Sequence, residues 1–253
     1  MSNPWQLYDD LVDALPEDVV VDDCVVSRFA LVATSAGGHG LALADRAGRR
    51  AARVPGSVIG QDLRSVAALA KSWDFELAAL GVAAMNSWFN TEQRVLDSAA
   101  TLIGDDGDSF VVHAERVAGR RVGVVGHFAG LRHLEAAGEL IVLERDPRGD
   151  DYPDPACEYL LPGCDEVYIT GTAVANKTLS RLLELAAGAR TVLVGPSTPF
   201  APEVYGGRVD EIGGAWVADA AMAGQLARMG ASMRSMKQVF TRFNASFDHG
   251  GRE

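Results

Sequence analysis

The chain has few cysteines, no excess of basic residues and no long hydrophobic run, and each absence excludes a class of protein. The cysteines, Cys24, Cys157 and Cys164, are odd in number and widely spaced, so they predict neither a disulfide framework nor a CxxC metal site. The 23 Lys and Arg face 34 Asp and Glu, a formal net charge of −11, which argues against a nucleic-acid partner.

The hydrophobic pattern also argues against a membrane partner. No window reaches the roughly 18 uninterrupted apolar residues of a membrane span. The polar start, Met1 to Trp5, lacks the basic and apolar regions of a signal peptide. We therefore expect a cytoplasmic protein.

The first hundred residues predict a small α+β domain. Apolar residues recur at helical spacing in three segments, and two β-like runs separated by a glycine-rich turn predict a hairpin. The predicted helices are Trp5–Leu15, Leu63–Lys71 and Phe75–Phe89, and the β-like runs are Val19–Val32 and Leu41–Ala44. We place this domain at residues 1–105.

The second half predicts a Rossmann-like α/β domain over residues 106–245, followed by a flexible tail at 246–253. Strand and helix alternate about every 20–25 residues, as in βαβ units. The predicted strands are Val122–Val125, Leu140–Leu143, Val167–Ile169, Thr191–Val194 and Ala215–Val217. The predicted helices are Leu131–Ala137, Ala156–Leu161, Thr178–Ala187 and Met222–Met229.

Four of these strands end in a glycine or polar break, and the breaks predict a binding site. The carboxyl ends of parallel strands meet at one edge of a sheet, where ligands bind in α/β proteins. The candidate ligand-binding residues are Gly126, His127, Phe128, Glu144, Arg145, Thr170, Gly171, Thr172, Asn176, Thr178, Gly195, Pro196, Ser197 and Thr198.

His127 and Glu144 are the candidate metal ligands. An imidazole at an open strand end could bind a metal or move a proton, although a lone histidine is more often a hydrogen-bonded structural residue. Glu144 lies 18 residues after Gly126, near the place of the ribose-binding acid in nucleotide folds, but the turn reads GxxGxxxG instead of GxGxxG. A glutamate that merely ends a strand is the alternative interpretation.

The remaining breaks favour an anion. Asn176 is a good N-cap for the following helix, and hydroxyls with Lys177 at a helix start suit a carboxylate or phosphate. The prolines around Ser197 and Thr198 predict a stiff turn. The sequence has no GxSxG motif, so it does not predict Ser197 as a hydrolase nucleophile. Purely structural turns are an equally good interpretation of both.

Two other patterns are weaker. The acidic loop Asp146–Asp154 lacks the spacing of an EF-hand, so a solvated loop is the simpler interpretation. Four methionines (Met222, Met229, Met233 and Met236) recur at spacings of 7, 4 and 3 on one predicted helical face, which favours a core or subunit-interface stripe.

The motifs together resemble a known family. Gly126–Phe128, Glu144-Arg145, Thr170–Thr178 and Gly195–Pro199 are similar to those of the bacterial and archaeal "putative heavy-metal chelation" family over about residues 110–240. The first hundred residues, with Asn86 near a helix end, resemble its usual partner, a domain like the N-terminal domain of enolase. The resemblance implies a Rossmann-like domain, an enolase-N-terminal-like domain and a ligand cleft between them.

Three functional hypotheses remain open from the sequence. The first is binding of a divalent transition metal, a metal chelate or an anionic small molecule, with His127 and Glu144 as metal ligands. The second is an enzyme with a nucleotide or S-adenosylmethionine at the same edge, with Glu144 at the ribose. The third is an oligomeric scaffold, for which a homodimer is the default expectation.

Overall fold

Two separate β-sheets organise the chain. The computed structural model describes residues 3–44, 56–103 and 108–247, in which a three-stranded antiparallel sheet precedes a mainly parallel eight-stranded sheet. The predicted α/β class is confirmed by this arrangement. Residues 104–107, around the predicted domain boundary, and the predicted tail from residue 248 lie outside the described residues.

The small sheet is a meander, which corrects the predicted hairpin. Its strands are β1 (Val21–Val26), β2 (Phe29–Thr34) and β3 (His39–Leu43). The predicted run Val19–Val32 divides because Ser27 donates its N–H to the carbonyl of Phe29 at 2.9 Å and turns the chain. The sequence signal for this turn is weak, since Ser27 favours turns less strongly than glycine, proline, asparagine or aspartate does, and none of these four follows it.

Four helices accompany the small sheet in this part of the chain. They are α1 (Gln6–Asp13), α2 (Leu63–Ala67), α3 (Phe75–Phe89) and α4 (Glu92–Leu96). Helix α3 begins where the Asp74 carboxylate accepts the N–H of Leu77, and it is buried almost all round against β2 and β3. The contact is close because Gly40 has no side chain, and a Cβ there would lie 2.6 Å from the carbonyl carbon of Asn86.

The large sheet contains the predicted parallel strands and three that the sequence did not predict. Its strands are β4 (Thr101–Leu102), β5 (Arg121–Val125), β6 (Glu139–Glu144), β7 (Tyr152–Pro153), β8 (Glu166–Thr170), β9 (Arg190–Val194), β10 (Glu211–Val217) and β11 (Phe240–Ser246). The unpredicted strands are β4, β7 and β11. The fifth strand was predicted too short, as Ala215–Val217, whereas β10 begins at Glu211. Gly213 and Gly214 weaken the β signal of its first half. Ser246, the first residue of the predicted tail, pairs with Glu211 in β10 and with Thr101 in β4.

Short helices connect the strands of the large sheet. They are α5 (Ser109–Val112), α6 (Cys157–Leu160), α7 (Thr172–Ala175), α8 (Leu179–Leu185), α9 (Pro202–Tyr205), α10 (Ala220–Arg228) and α11 (Met233–Met236). The predicted helix Leu131–Ala137 is only a 3-10 turn, Leu131–Leu134. The predicted single methionine face is wrong, since α10 ends before Gly230, whose φ is +66°. Met229 is 80% exposed on one side of this break, and Met236 is buried on the other.

The order of the parallel strands fixes where a ligand would bind. It runs β10-β9-β8-β5-β6, so the chain leaves β5 toward β6 on one side, and β8, β9 and β10 fill the other side. The connections that follow β5 and β8 therefore run in opposite directions and leave a crevice at the carboxyl edge, the usual ligand position in open α/β sheets.

Candidate functional site

A single cavity of about 1110 Å³ lies over this crevice. Strand ends of the large sheet form one wall, and the end of β3 with the β1–β2 turn (Leu43, Ala44 and Arg28) forms part of another. The segment from Gly230 to Arg242 contributes Met233, Lys237 and Phe240. The cavity is therefore lined by residues of both sheets and of the segment from Gly230 to Arg242.

Nearly all of the predicted site residues line this cavity. The lining includes Gly126, His127, Phe128, Glu144, Arg145, Thr170, Gly171, Thr172, Asn176, Thr178, Gly195, Pro196 and Ser197. Thr198 lies beneath the turn and is fully buried. The four strand-end breaks thus meet at one edge, as parallel topology requires, and their binding roles stay predictions.

Glu144 fixes the turn after β5. One carboxylate oxygen accepts the backbone N–H of His127 at 2.8 Å, and the other accepts the N–H of Arg145 at 2.7 Å. Gly126 has φ +110°, a conformation that L side chains rarely adopt, which lets the chain turn between these bonds. Both oxygens of Glu144 therefore hold backbone, so a role as metal ligand or ribose acceptor would have to compete with these two bonds.

His127 is paired with a residue that the sequence did not single out. Its Nδ1 lies 2.8 Å from a carboxylate oxygen of Asp151, which also accepts the N–H of Arg148 at 3.0 Å. An ionised carboxylate only accepts hydrogen bonds, so Nδ1 carries a proton, and in the neutral imidazole the lone pair is then on Nε2. The Asp151 side chain is 6% exposed and the His127 side chain 39%, so a buried acid orients an accessible imidazole. The sequence places several acids in the loop Asp146–Asp154, but only the fold shows which of them contacts His127.

The turn after β9 is held from below by helix α3. Ser197 lines the cavity, yet its Oγ accepts the N–H of Leu43 at 2.8 Å. The buried amide of Asn86 donates to the carbonyls of Leu41 at 2.8 Å and Pro196 at 3.2 Å. Asn90 donates to the carbonyl of Thr198 at 2.8 Å. These contacts favour a structural role for the turn, which ties the small sheet to the large one.

The segment after β8 also differs in detail from its prediction. The N-cap of α8 is Thr178, and Asn176 instead accepts the N–H of Thr178 at 3.1 Å and its Oγ1–H at 2.6 Å. Helix α7, which the sequence did not predict, shifts Asn176 out of the capping position. Lys177 turns its amine toward the rings of Trp73 and Phe75.

Basic side chains line the cavity in a chain that is acidic overall. Arg28, Arg148 and Lys237 are exposed and line it, and within the described ranges none of the three side chains forms an ion pair. Arg28 comes from the small sheet, Arg148 from the loop after β6, and Lys237 from the turn after α11. No local sequence signal marks Arg28 or Lys237, since only the tertiary fold brings them to this edge.

The donor set does not suit a bare metal ion. In residues 3–44, 56–103 and 108–247, no group of three or more His, Cys, Asp or Glu side chains could hold one. All three cysteines fall in these ranges, and none is among the residues that line the cavity. Cys157 and Cys164 are buried in the core, and burial raises the pKa of both thiols.

Comparisons with known proteins support the fold and assign the family. Two family models, both described as "putative heavy-metal chelation", match residues 8–89 and 108–245. The chain belongs to this family. One similar protein is an uncharacterised protein of Methanocaldococcus jannaschii, which is 31% identical over 160 residues. That match spans 59% of this chain and 58% of the relative, less than two thirds of its length.

Two solved structures share the fold of this chain. A protein with unknown function from Desulfitobacterium hafniense DCB-2, of the same family, is 34% identical, and the alignment covers 98% of this chain and all (100%) of that one, with a TM-score of 0.87. A second family protein with unknown function, from Pyrococcus horikoshii, is 20% identical. The alignment covers 96% of this chain and 99% of that one, with a TM-score of 0.75. The second shows the fold alone. In the described part of the chain, no helix is long and apolar enough to cross a membrane.

Proposed function

We propose that this protein binds a transition metal in the form of an anionic chelate, in the cavity at the carboxyl edge of the large sheet. The family description supports heavy-metal chelation in general terms. The observation that carries the finer statement is His127, whose Nδ1 is held by Asp151 while Nε2 is left for a ligand. In this proposal the cleft separates the domains predicted at residues 1–105 and 106–245.

The chemistry of the lining favours a chelate over a bare ion. One imidazole cannot fill the coordination shell of a transition metal, and in the described ranges no carboxylates or thiolates complete it. A small-molecule chelator would supply the remaining donors. Its anionic groups would then face Arg28, Arg148 and Lys237, which the described residues leave without ion pairs.

Each residue at the strand ends has a distinct part in this proposal. His127 Nε2 is the protein donor to the metal, and Asp151 orients the ring. Glu144 does not bind the metal but holds the backbone of the turn that carries His127. The cavity, about 1110 Å³, is large enough for a chelate of drug-like size.

The nucleotide hypothesis finds no comparable support. Its ribose-binding acid, Glu144, already accepts backbone N–H groups with both oxygens. The homodimer stays a prediction that the single chain does not address.

Calorimetry with defined probes tests the proposal. We would titrate metal-stripped protein with Ni²⁺ alone, citrate alone and the nickel–citrate complex. We expect the complex to bind more tightly than either component and His127→Ala to weaken it by at least about tenfold. The matched control is His133→Ala, which removes a histidine that does not line the cavity. Equal affinity of wild type and His127→Ala for the complex, or tighter binding of Ni²⁺ alone, would contradict the proposal.

A further inference from the structure

Lys177 has a backbone conformation that its side chain does not favour. Its φ is +68°, and among the described residues it is the only non-glycine with a positive φ. Such strain costs about 1–2 kcal/mol and tends to persist where function requires it. The residue lies between Asn176 and Thr178, which line the cavity, but Lys177 itself is not among the lining residues and its amine lies near the Phe75 ring.

The strained backbone places the amine between two aromatic rings. Nζ lies 5.1 Å from the ring centroid of Phe75 and 5.8 Å from that of Trp73, and it donates to the carbonyl of Ala175 at 2.6 Å. Phe75 is 9% exposed, whereas Trp73 is 55% exposed, so one side of this cage is open to solvent. The guanidinium of Arg145 lies on the Phe75 ring as well, 5.5 Å from its centroid.

We propose that Lys177 is a covalent site for small aldehydes and ketones, with its amine forming an imine between Trp73 and Phe75. The neutral amine attacks the carbonyl carbon and a C–N bond forms. The carbonyl oxygen then leaves as water, which gives the imine. No other reactant is required.

The surroundings favour this product over an acylated lysine. A protonated imine keeps the positive charge and one N–H, so it keeps both the attraction to the aromatic rings and the hydrogen bond to Ala175. An amide would lose the charge. The charged groups nearby are Asp74, at the start of α3, and Arg145, on the Phe75 ring.

The protonation state of Lys177 supports the same role. Burial lowers its pKa to about 8, although the negative charge of Asp74 acts in the opposite direction. At pH 7 about one amine in ten is then neutral, compared with fewer than about one in a thousand for an ordinary lysine. Lysines shifted in this way serve as nucleophiles toward carbonyl groups in other proteins.

The other lysines of the chain, Lys71 and Lys237, provide internal controls. Lys71 is ion-paired with Asp9, and Lys237 is exposed. We would treat the full chain with propionaldehyde and sodium cyanoborohydride, which reduces the imine to a stable secondary amine, and measure alkylation at each lysine by peptide mass mapping. At pH 7 we expect Lys177 to react at least about tenfold faster than Lys237, and its rate to level off above about pH 8.

Two variants sharpen the result. Asp74→Asn keeps an N-cap for α3 but removes the charge, so Lys177 should react faster while Lys237 is unchanged. Lys177→Arg keeps a cation and should lose only the label at this position. A lysine with a purely structural role, held on the Ala175 carbonyl, would react more slowly than exposed Lys237. Alkylation of Lys177 at or below the rate of Lys237 would therefore overturn the proposal.

Discussion

Asn86 donates its side-chain amide to the carbonyl of Pro196 over 3.2 Å and thereby joins helix α3, which packs on the small sheet, to the turn after β9 in the large sheet. The same amide donates to the carbonyl of Leu41 in the middle of β3. One fully buried residue therefore connects a helix, a strand and a turn that are far apart in sequence.

Replacing this amide should destabilise the whole protein. Asn86→Ala leaves the carbonyls of Leu41 and Pro196 buried without their donor, and we expect the free energy of unfolding to fall by about 2–4 kcal/mol. Urea unfolding measures this change. The matched control is Ser87→Ala, since Ser87 is also buried but bonds only to Ala84 in its own helix. A loss no larger than that of the control would show that the junction is held by packing alone.

Stability should fall in acid because of a buried ion network at the opposite edge of the large sheet. Burial by itself would raise the pKa of Glu211, but hydrogen bonding with His113 and the charges of Arg116 and Arg190 lower it to about 2. A lowered folded-state pKa contributes stability that is present above the unfolded value, near 4.5, and is lost as the pH falls toward 2.

The corresponding variant is Glu211→Gln. We expect a loss of about 3 kcal/mol at pH 7, because neutralising the buried acid removes the negative charge that pairs with His113, Arg116 and Arg190. We also expect a weaker dependence of stability on pH between about 4.5 and 2. Urea unfolding at pH 7, 4 and 3 measures both. Glu158→Gln is the control, since its exposed pair with Arg181 contributes little. A wild-type stability that does not change from pH 5 to pH 3 would contradict the assignment.

Gly171 is needed for packing, although the sequence placed it in the ligand site. A Cβ at this position would lie 2.6 Å from the backbone nitrogen of Thr198 and 2.7 Å from the carbonyl carbon of Ser197. Gly171→Ala should therefore lower stability by about 2 kcal/mol or more without any ligand present. Thermal unfolding compares it with Gly188→Ala, where the added Cβ meets open space and φ is not positive. Equal melting temperatures of the two variants would show that Gly171 is not required for packing.

Asp151 should affect the ligand and not the fold. Asp151→Ala frees the His127 ring to rotate and to change tautomer, so affinity for nickel–citrate should fall by about tenfold. Calorimetry measures this against Asp150→Ala, a neighbouring exposed acid of the same loop. If the two variants bind equally well, the pair between His127 and Asp151 is incidental to binding.

Local sequence patterns predicted the strand ends of the candidate site but not the contacts between its side chains. The turns after β5, β6, β8 and β9 could be predicted, because hydrophobic runs that end in glycine or polar residues mark strand ends. Their convergence followed from parallel topology. The partner of His127 could not be chosen among the acids of the loop, because the choice depends on how that loop folds back over β5.

The sequence by itself determined the α/β class, the carboxyl-edge position of the candidate residues and the family, since each depends on local periodicity and motif spacing. Tertiary structure alone decided that β11 lies between β4 and β10 in the large sheet, that Arg28 and Lys237 reach the cavity, and that Glu144 and Ser197 bind backbone N–H groups. Local patterns report which residues form an element. Contacts between residues of different elements depend on the packing of whole elements, which no short segment encodes.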